Sequence, residues 1–141
     1  MSVQKVMIVG AGLMGSGIAQ ICAQAGIQAN LYDFAQEALE KAMINIEWSV
    51  GKFIEKGKLS EDKETILGRI EVIKDIHAAS GVDLAVEAVF ENIDVKQEIF
   101  RQLDRECSAK TLIASNTSAI PITELAAVTR RPEKILGLHF F

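Results

Sequence analysis

The stretch KVMIVGAGLMG at residues 5–15 joins an apolar, strand-like run to the pattern Gly-x-Gly-x-x-Gly, and a helical pattern follows it. Gly10 permits a tight turn at the end of the strand, Gly12 lets the backbone approach a pyrophosphate, and Gly15 lets the helix pack closely on the sheet. Free amides at the start of that helix would face the phosphates. This context predicts a dinucleotide-binding turn rather than a glycine turn without a ligand. Its predicted binding residues are Gly10, Gly12, Leu13, Met14 and Gly15.

A second apolar run ends in Asp33, about 20 residues beyond the glycine turn. A carboxylate at this place hydrogen-bonds the ribose of the adenosine and repels a 2′-phosphate. The sequence therefore predicts NAD rather than NADP as the cofactor.

The composition is that of one soluble domain, with 141 residues of which 49% are hydrophobic and 24% charged. A net charge of -4 argues against a nucleic-acid surface. The uncharged run over residues 6–27 contains five glycines and several polar residues, so it is not typical of a membrane-spanning helix. The first residues lack the apolar core of a secretion signal. We therefore expect a cytoplasmic protein that binds neither nucleic acid nor membrane.

Two isolated cysteines, Cys22 and Cys107, lie within helical patterns and have no Cys-x-x-Cys spacing or nearby histidine. Such thiols are typical of a protein core in a reducing compartment, and they predict no metal site. His77 lies in a polar stretch and is expected at the surface.

The rest of the chain alternates between helical and strand-like patterns. The first helix is expected to end at Gly26, a long second helix at Lys56-Gly57, and Ser60 to cap a short third helix. Strands are predicted near residues 70–73, 82–89, 111–114 and 135–141. This order predicts a Rossmann-type, doubly wound parallel α/β sheet of about six strands. Helices would cover both faces, and an extended helical insertion would lie between strands two and three.

Polar residues follow the later predicted strands, and ligands of such sheets bind at the carboxyl ends of the strands. Oxidation of a secondary alcohol needs a base for the hydroxyl proton and a donor to the oxygen. His139 and Ser118 suit these roles. The alternatives are a core histidine, a helix cap at residues 115–118, and a solvated ion pair between Glu91 and Lys96.

Four segments resemble the 3-hydroxyacyl-CoA dehydrogenase family, and in particular its short bacterial 3-hydroxybutyryl-CoA dehydrogenases. They are VGAGLMGSG at residues 9–17, VEAVFEN at 86–92 with Lys96, ASNTS at 114–118, and GLHFF at 137–141. The resemblance covers the whole chain. It implies NAD-dependent interconversion of an (S)-3-hydroxyacyl-CoA and its 3-ketoacyl-CoA, in pathways such as fatty-acid or butyrate metabolism.

The resemblance also assigns site residues. It implies that His139 is the catalytic base and that Ser118 contacts the substrate oxygen near the nicotinamide. Ser49 and Lys56, seven residues apart, match family contacts to coenzyme A. Beyond the glycine turn, the predicted cofactor-binding residues are Asp33, Glu91, Lys96, Asn116 and Ser118.

The family pattern continues beyond Phe141 with a glutamate that orients the histidine and a helical domain that carries most of a dimer interface. We therefore expect residues 1–141 to be the NAD-binding domain without that second domain, and to show little turnover alone. The complete enzyme is expected to be a homodimer or larger homo-oligomer. Two other interpretations are an NAD-binding protein without catalysis and a related hydroxyacid dehydrogenase with a lysine base. The spacing of Ser118 and His139 disfavours the second.

Overall fold

The computed structural model describes residues 2–140, in which six parallel strands form one sheet. The strand order is β3-β2-β1-β4-β5-β6, so the chain starts in the middle and the order reverses between β1 and β4. The predicted doubly wound sheet is confirmed. The strands are β1 (Lys5–Val9), β2 (Gln28–Tyr32), β3 (Ile70–Ile73), β4 (Leu84–Glu87), β5 (Leu112–Ser115) and β6 (Ile135–Gly137).

Five α-helices connect the strands in the described part of the chain. They are α1 (Leu13–Gln24), α2 (Gln36–Glu55), α3 (Lys63–Leu67), α4 (Ile93–Glu106) and α5 (Ile122–Ala126), with short 3-10 helices at Ile76–Gly81 and Pro132–Lys134. Helices α2 and α3 form the predicted insertion between strands two and three. In the part of the chain that the structure covers, no helix is both long and apolar enough to cross a membrane.

Alternate residues of the central strand β1 face two separate hydrophobic cores. Val6 and Ile8 pack into the core under α1, α2 and α3, whereas Met7 and Val9 pack into the core under α4 and α5. All four side chains are at most 2% exposed. Apolar residues at four consecutive positions, from Val6 to Val9, are therefore required here, because both faces of the sheet are covered.

Several boundaries differ from the sequence prediction: β4 spans Leu84–Glu87 rather than residues 82–89, and β5 spans Leu112–Ser115 rather than residues 111–114. Asp62, not Ser60, caps α3, because its Oδ1 accepts the Thr65 amide at 2.7 Å. Strand β6 ends at Gly137, so His139 lies beyond the strand rather than within it. One further backbone bond follows, from the Leu138 amide to the Ser115 carbonyl, and the pairing then stops because the Phe140 amide donates to the side chain of Asn116 instead of to backbone. The predicted strand residue 141 lies outside the described residues.

The two cysteines pack against the cores as predicted. Cys107 is buried, and burial raises the pKa of its thiol to about 11. Cys22 is only half-buried, and burial raises the pKa of its thiol as well. His77 is exposed, as expected, and its ring contacts Glu106.

Candidate cofactor and active site

The glycine turn between β1 and α1 is too tightly packed for side chains at two positions. Gly10 has a φ of +115°, and a Cβ there would lie 2.6 Å from the carbonyl oxygen of Ala88. A Cβ on Gly15 would lie 1.7 Å from the carbonyl oxygen of Gly10. Only glycine therefore allows the chain to turn at the strand end and α1 to begin against the turn.

In front of Gly12, by contrast, there is open space. Gly12 is the N-cap of α1, and a Cβ on it would meet no described atom within 4 Å. No side chain of the described residues caps this helix, and its first turn contains no acidic residue. The unfilled helix start suits a phosphate group, which the helix dipole and the amides attract.

Asp33 links the end of β2 to the glycine turn. Its Oδ2 accepts the amide of Ala11 at 2.8 Å, and its Oδ1 accepts the amide of Ala35 at 2.9 Å. A carboxylate has about four acceptor positions, so a ribose hydroxyl can still be accommodated. The sequence did not predict the structural role of Asp33, which is its hydrogen bond from the Ala11 amide. The contact to Ala35 is the local turn that aspartate commonly forms two residues ahead.

Two adjoining pockets form one groove across the carboxyl ends of β1 and β4. The first, of about 290 Å³, is lined by Gly10, Gly12, Asp33 and Phe34. The second has a volume of about 250 Å³. Both are also lined by residues 88–90, which follow β4. The second pocket brings together six of the predicted site residues, namely Met14, Glu91, Lys96, Asn116, Ser118 and His139.

The exposed side chains of Ser118 and His139 both border the second pocket. The segment that carries His139 is held against β5 on both sides. The amide of Leu138 donates to the carbonyl of Ser115 at 2.9 Å, and the amide of Phe140 donates to Oδ1 of Asn116 at 2.9 Å. The carbonyl of Ser115 and the side chain of Asn116 therefore hold the chain on either side of the imidazole.

Lys96 lies under the groove with only 1% of its side chain exposed. Its Nζ is 2.5 Å from Oε2 of Glu87, 3.0 Å from Oε1 of Glu91 and 3.1 Å from the carbonyl oxygen of Val89. These three acceptors match the three donors of an ammonium group. A solvated ion pair on a helix surface, one alternative from the sequence, is therefore wrong for Lys96.

Glu87 is the main site residue that sequence reasoning missed. It is fully buried at the end of β4, and its oxygens accept the Oγ of Ser115 at 2.5 Å and the amide of Val89 at 2.8 Å, in addition to Lys96. The feature of the sequence that could have identified Glu87 is an acidic residue inside an otherwise apolar strand. A buried charge requires a buried partner, and Lys96 nine residues later is that partner.

Thr117 completes a ring of contacts. Its amide donates to Oγ of Ser115 at 3.1 Å, and its Oγ1 donates to Oε2 of Glu91 at 2.7 Å. The hydrogen bond from Thr117, aided by Lys96, holds the pKa of Glu91 below its usual value although burial opposes this shift. Residues 115–118 do not cap α5, whose N-cap is Pro121. We call Glu87, Glu91, Lys96, Ser115 and Thr117 the Glu87 network.

Comparison with known proteins then identifies the family. A profile described as 3-hydroxyacyl-CoA dehydrogenase, NAD binding domain, matches residues 5–141. The chain belongs to this family. The resemblance found in the sequence is confirmed, and so is NAD as the cofactor.

Individual relatives agree with this family. The chain is 42% identical over 141 residues to a probable 3-hydroxybutyryl-CoA dehydrogenase of Bacillus subtilis, covering 99% of the chain and 49% of the relative. A crystal structure of (S)-3-hydroxybutyryl-CoA dehydrogenase from Ralstonia eutropha superposes with a TM-score of 0.94 at 42% identity, covering 99% of the chain and 50% of that structure. The chain thus spans about half the length of these relatives.

The two residues predicted to contact coenzyme A lie on the insertion, away from the linings of both pockets. Ser49 is half-buried on α2, and its Oγ accepts Nε2 of Gln20 at 2.9 Å. Lys56 is exposed at the C-terminal end of the same helix. The structure thus gives Ser49 a contact between α1 and α2 that the sequence did not suggest, and the coenzyme A role of both residues stays a prediction.

Proposed function

We propose that this chain is the cofactor domain of an enzyme that interconverts (S)-3-hydroxyacyl-CoA and 3-ketoacyl-CoA, with 3-hydroxybutyryl-CoA as the expected substrate. One observation carries the proposal: Ser118 and His139 border the same pocket as Met14, in the first turn of the helix whose start suits a phosphate. The names of the Bacillus subtilis and Ralstonia eutropha relatives support the choice of substrate.

The groove suits an extended dinucleotide. Asp33 would hold the adenosine ribose, and the amides after Gly12 would hold the pyrophosphate. The nicotinamide half would then reach the pocket that contains Glu91 and Asn116. NAD, when bound, supplies the acceptor for the hydride that leaves the substrate carbon.

In the oxidation direction, the imidazole of His139 accepts the proton of the C3 hydroxyl. Ser118 donates a hydrogen bond to the same oxygen while it becomes a carbonyl oxygen. Asn116 keeps the peptide beyond His139 in place through its bond to the Phe140 amide. In the reverse direction, the protonated imidazole returns the proton to the oxygen.

Ser49 and Lys56 would hold the coenzyme A part of the substrate from α2, Lys56 through its charge. The relatives are about twice as long as this chain, and we infer that their second halves provide the remaining substrate contacts and the subunit interface. The isolated chain should therefore bind NAD and turn over little substrate.

The experiment is the reduction of acetoacetyl-CoA by NADH, measured on this chain and on a longer chain that joins it to the second half of the Bacillus subtilis relative. We expect turnover from the longer chain, and loss of most of kcat with nearly unchanged NADH affinity on His139→Gln, because the imidazole acts on the substrate oxygen. A folded longer chain that binds NADH without turnover would favour a non-catalytic NAD-binding protein. Turnover that survives His139→Gln would overturn the mechanism.

A further inference from the structure

The Glu87 network contains an unequal number of opposite charges. One ammonium group, on Lys96, lies between the carboxylates of Glu87 and Glu91. Glu87 is fully buried, whereas 45% of the Glu91 side chain is exposed at the second pocket. If all three groups are ionised, the network carries one net negative charge, and that charge belongs to the carboxylate that solvent and ligands can reach.

The contacts of both glutamates are those of ionised carboxylates. An ionised carboxylate can only accept hydrogen bonds. Glu87 receives bonds from Lys96, the Val89 amide and the Ser115 hydroxyl. Glu91 receives the Thr117 hydroxyl and lies against Lys96, and these partners keep its pKa low.

We propose that Glu87 sets the charge of the second pocket, where the nicotinamide would bind: it neutralises Lys96, leaves the charge of Glu91 uncompensated, and so strengthens the binding of NAD⁺ relative to that of NADH. The proposal rests on the proposed function, which brings the nicotinamide to this pocket. Glu87 acts through Lys96 and Glu91 and is a positioning residue.

The physical reason is that the two forms of the cofactor differ by one positive charge, on the nicotinamide ring. A carboxylate at the pocket wall attracts the oxidised ring and has no such attraction for the reduced ring. Loss of packing or of loop position, in contrast, weakens the binding of both forms. The ratio of the two dissociation constants therefore reports charge and not structure.

The first test is Glu91→Gln in this chain, with NAD⁺ and NADH titrated by calorimetry at one pH. A single pH keeps the charges of the pocket the same in the two titrations. We expect the Kd of NAD⁺ to rise roughly three- to tenfold and the Kd of NADH to change less than twofold, since the charge is partly screened by solvent. Glu91→Asp is the matched control, because it retains the charge and should leave the ratio of the two Kd values close to that of the parent.

The second test separates Glu87 from Glu91. In Glu87→Gln, Lys96 neutralises Glu91, so the Kd of NAD⁺ should rise relative to that of NADH, as it does in Glu91→Gln. In the double variant Glu87→Gln with Lys96→Met, the buried pair is removed and the charge of Glu91 remains, so the ratio of the two Kd values should return to that of the parent. Circular dichroism and thermal unfolding establish that each variant is folded.

If Glu91→Gln weakens the binding of NAD⁺ and of NADH equally, the proposal is overturned and the Glu87 network has a structural role. A double variant that resembles Glu87→Gln would overturn the assignment of Glu87. If the buried variants do not fold, the comparison of Glu91→Gln with Glu91→Asp still decides the charge effect. Failure of the folded parent to bind either form would instead contradict the proposed function, and this inference would fall with it.

Discussion

Asp33 combines an observed structural role with a proposed binding role in one carboxylate. The side chain fixes the glycine turn through the Ala11 amide and retains acceptor capacity toward the groove, where it lines the first pocket. The same charge that suits a ribose diol would repel a 2′-phosphate. Its two roles can be separated by comparing a variant that removes the acceptors with one that removes only the charge.

Asp33→Ala should weaken NADH binding roughly ten- to a hundredfold, because hydrogen bonds to a charged group contribute about 1.5 to 3 kcal/mol. Asp33→Asn keeps one carbonyl acceptor, so it should bind NADH better than the alanine variant while losing discrimination against NADPH. Calorimetry measures the Kd of NADH and of NADPH for the parent and the two variants. Equal affinity of the parent for NADH and NADPH would contradict the role of Asp33.

At the scale of one element, α1 contains two glycines in opposite environments. A Cβ on Gly15 would collide with the backbone of Gly10, whereas a Cβ on Gly17 would meet nothing within 4 Å. The position of α1 on the sheet therefore depends on Gly15 and not on Gly17.

Gly15→Ala should destabilise the fold by about 3 kcal/mol or more, since the contact is with backbone that cannot move aside without shifting α1. Gly17→Ala, the matched control, should stabilise the fold by about 0.5 to 1 kcal/mol through higher helix propensity. Urea unfolding of both variants measures the free energies. Similar destabilisation by the two substitutions would show that α1 does not pack as described.

Helix α4 is joined to the segment before β6 by a second buried ion pair. Nε of Arg131 lies 2.8 Å from Oδ1 of Asp104, and its other nitrogens donate to the carbonyl oxygens of Asp104, Cys107, Ser108 and Thr111. Burial raises the pKa of Asp104, but hydrogen bonds from the Arg130 amide and Arg131 outweigh it and hold this pKa below its ordinary value.

Asp104→Asn should lower the free energy of unfolding by about 3 kcal/mol at pH 7, because the guanidinium of Arg131 remains buried without its counter-charge. A carboxyl group with a depressed pKa stabilises the fold fully above its unfolded value of about 3.9 and loses this contribution as the pH falls through the lower folded value. The difference between parent and variant should therefore narrow as the pH falls below the unfolded value of about 3.9. Urea unfolding from pH 7 into this acid range measures it, and a difference independent of pH would exclude ionisation of Asp104 as the cause.

At the scale of the whole molecule, the fold separates the groove from the insertion. The groove lies at the carboxyl ends of the strands, and α2, which ends at the C-cap Lys56, packs with α1 on the face of the sheet opposite to α4. A substrate with a long coenzyme A tail is suited to such a separation, since its reacting end and its phosphates can bind different elements.

In the longer, active chain, Lys56→Ala should raise the KM for acetoacetyl-CoA several-fold with little change in kcat, because the charge acts on a part of the substrate remote from the reaction. The increase should shrink as salt screens the exposed charge. Lys41→Ala, an exposed lysine earlier on the same helix, is the control and should leave KM unchanged. A fall in kcat at constant KM would place Lys56 elsewhere in the mechanism.

Much of this architecture was predictable because it depends on local patterns. Apolar runs, glycine spacing and helical periodicity act within a few residues of one another, and they predicted the parallel sheet, the insertion and the turn at Gly10. Asp33 was predictable for the same reason, since its distance from the turn is set by one helix and one strand.

The Glu87 network was decided only by the tertiary structure. Glu87 and Lys96 are separated by a loop and a helix turn, whereas Ser115 ends another strand and Thr117 lies in the loop after it. Whether such groups are solvated or buried depends on the packing of β4, β5 and α4, which no local pattern encodes. The sequence by itself determined the nucleotide-binding frame and the residues at its rim. The tertiary structure decided which of those residues are paired, how deeply they are buried and what charge they present to a ligand, because desolvation and long-range contacts arise only when the strands are assembled.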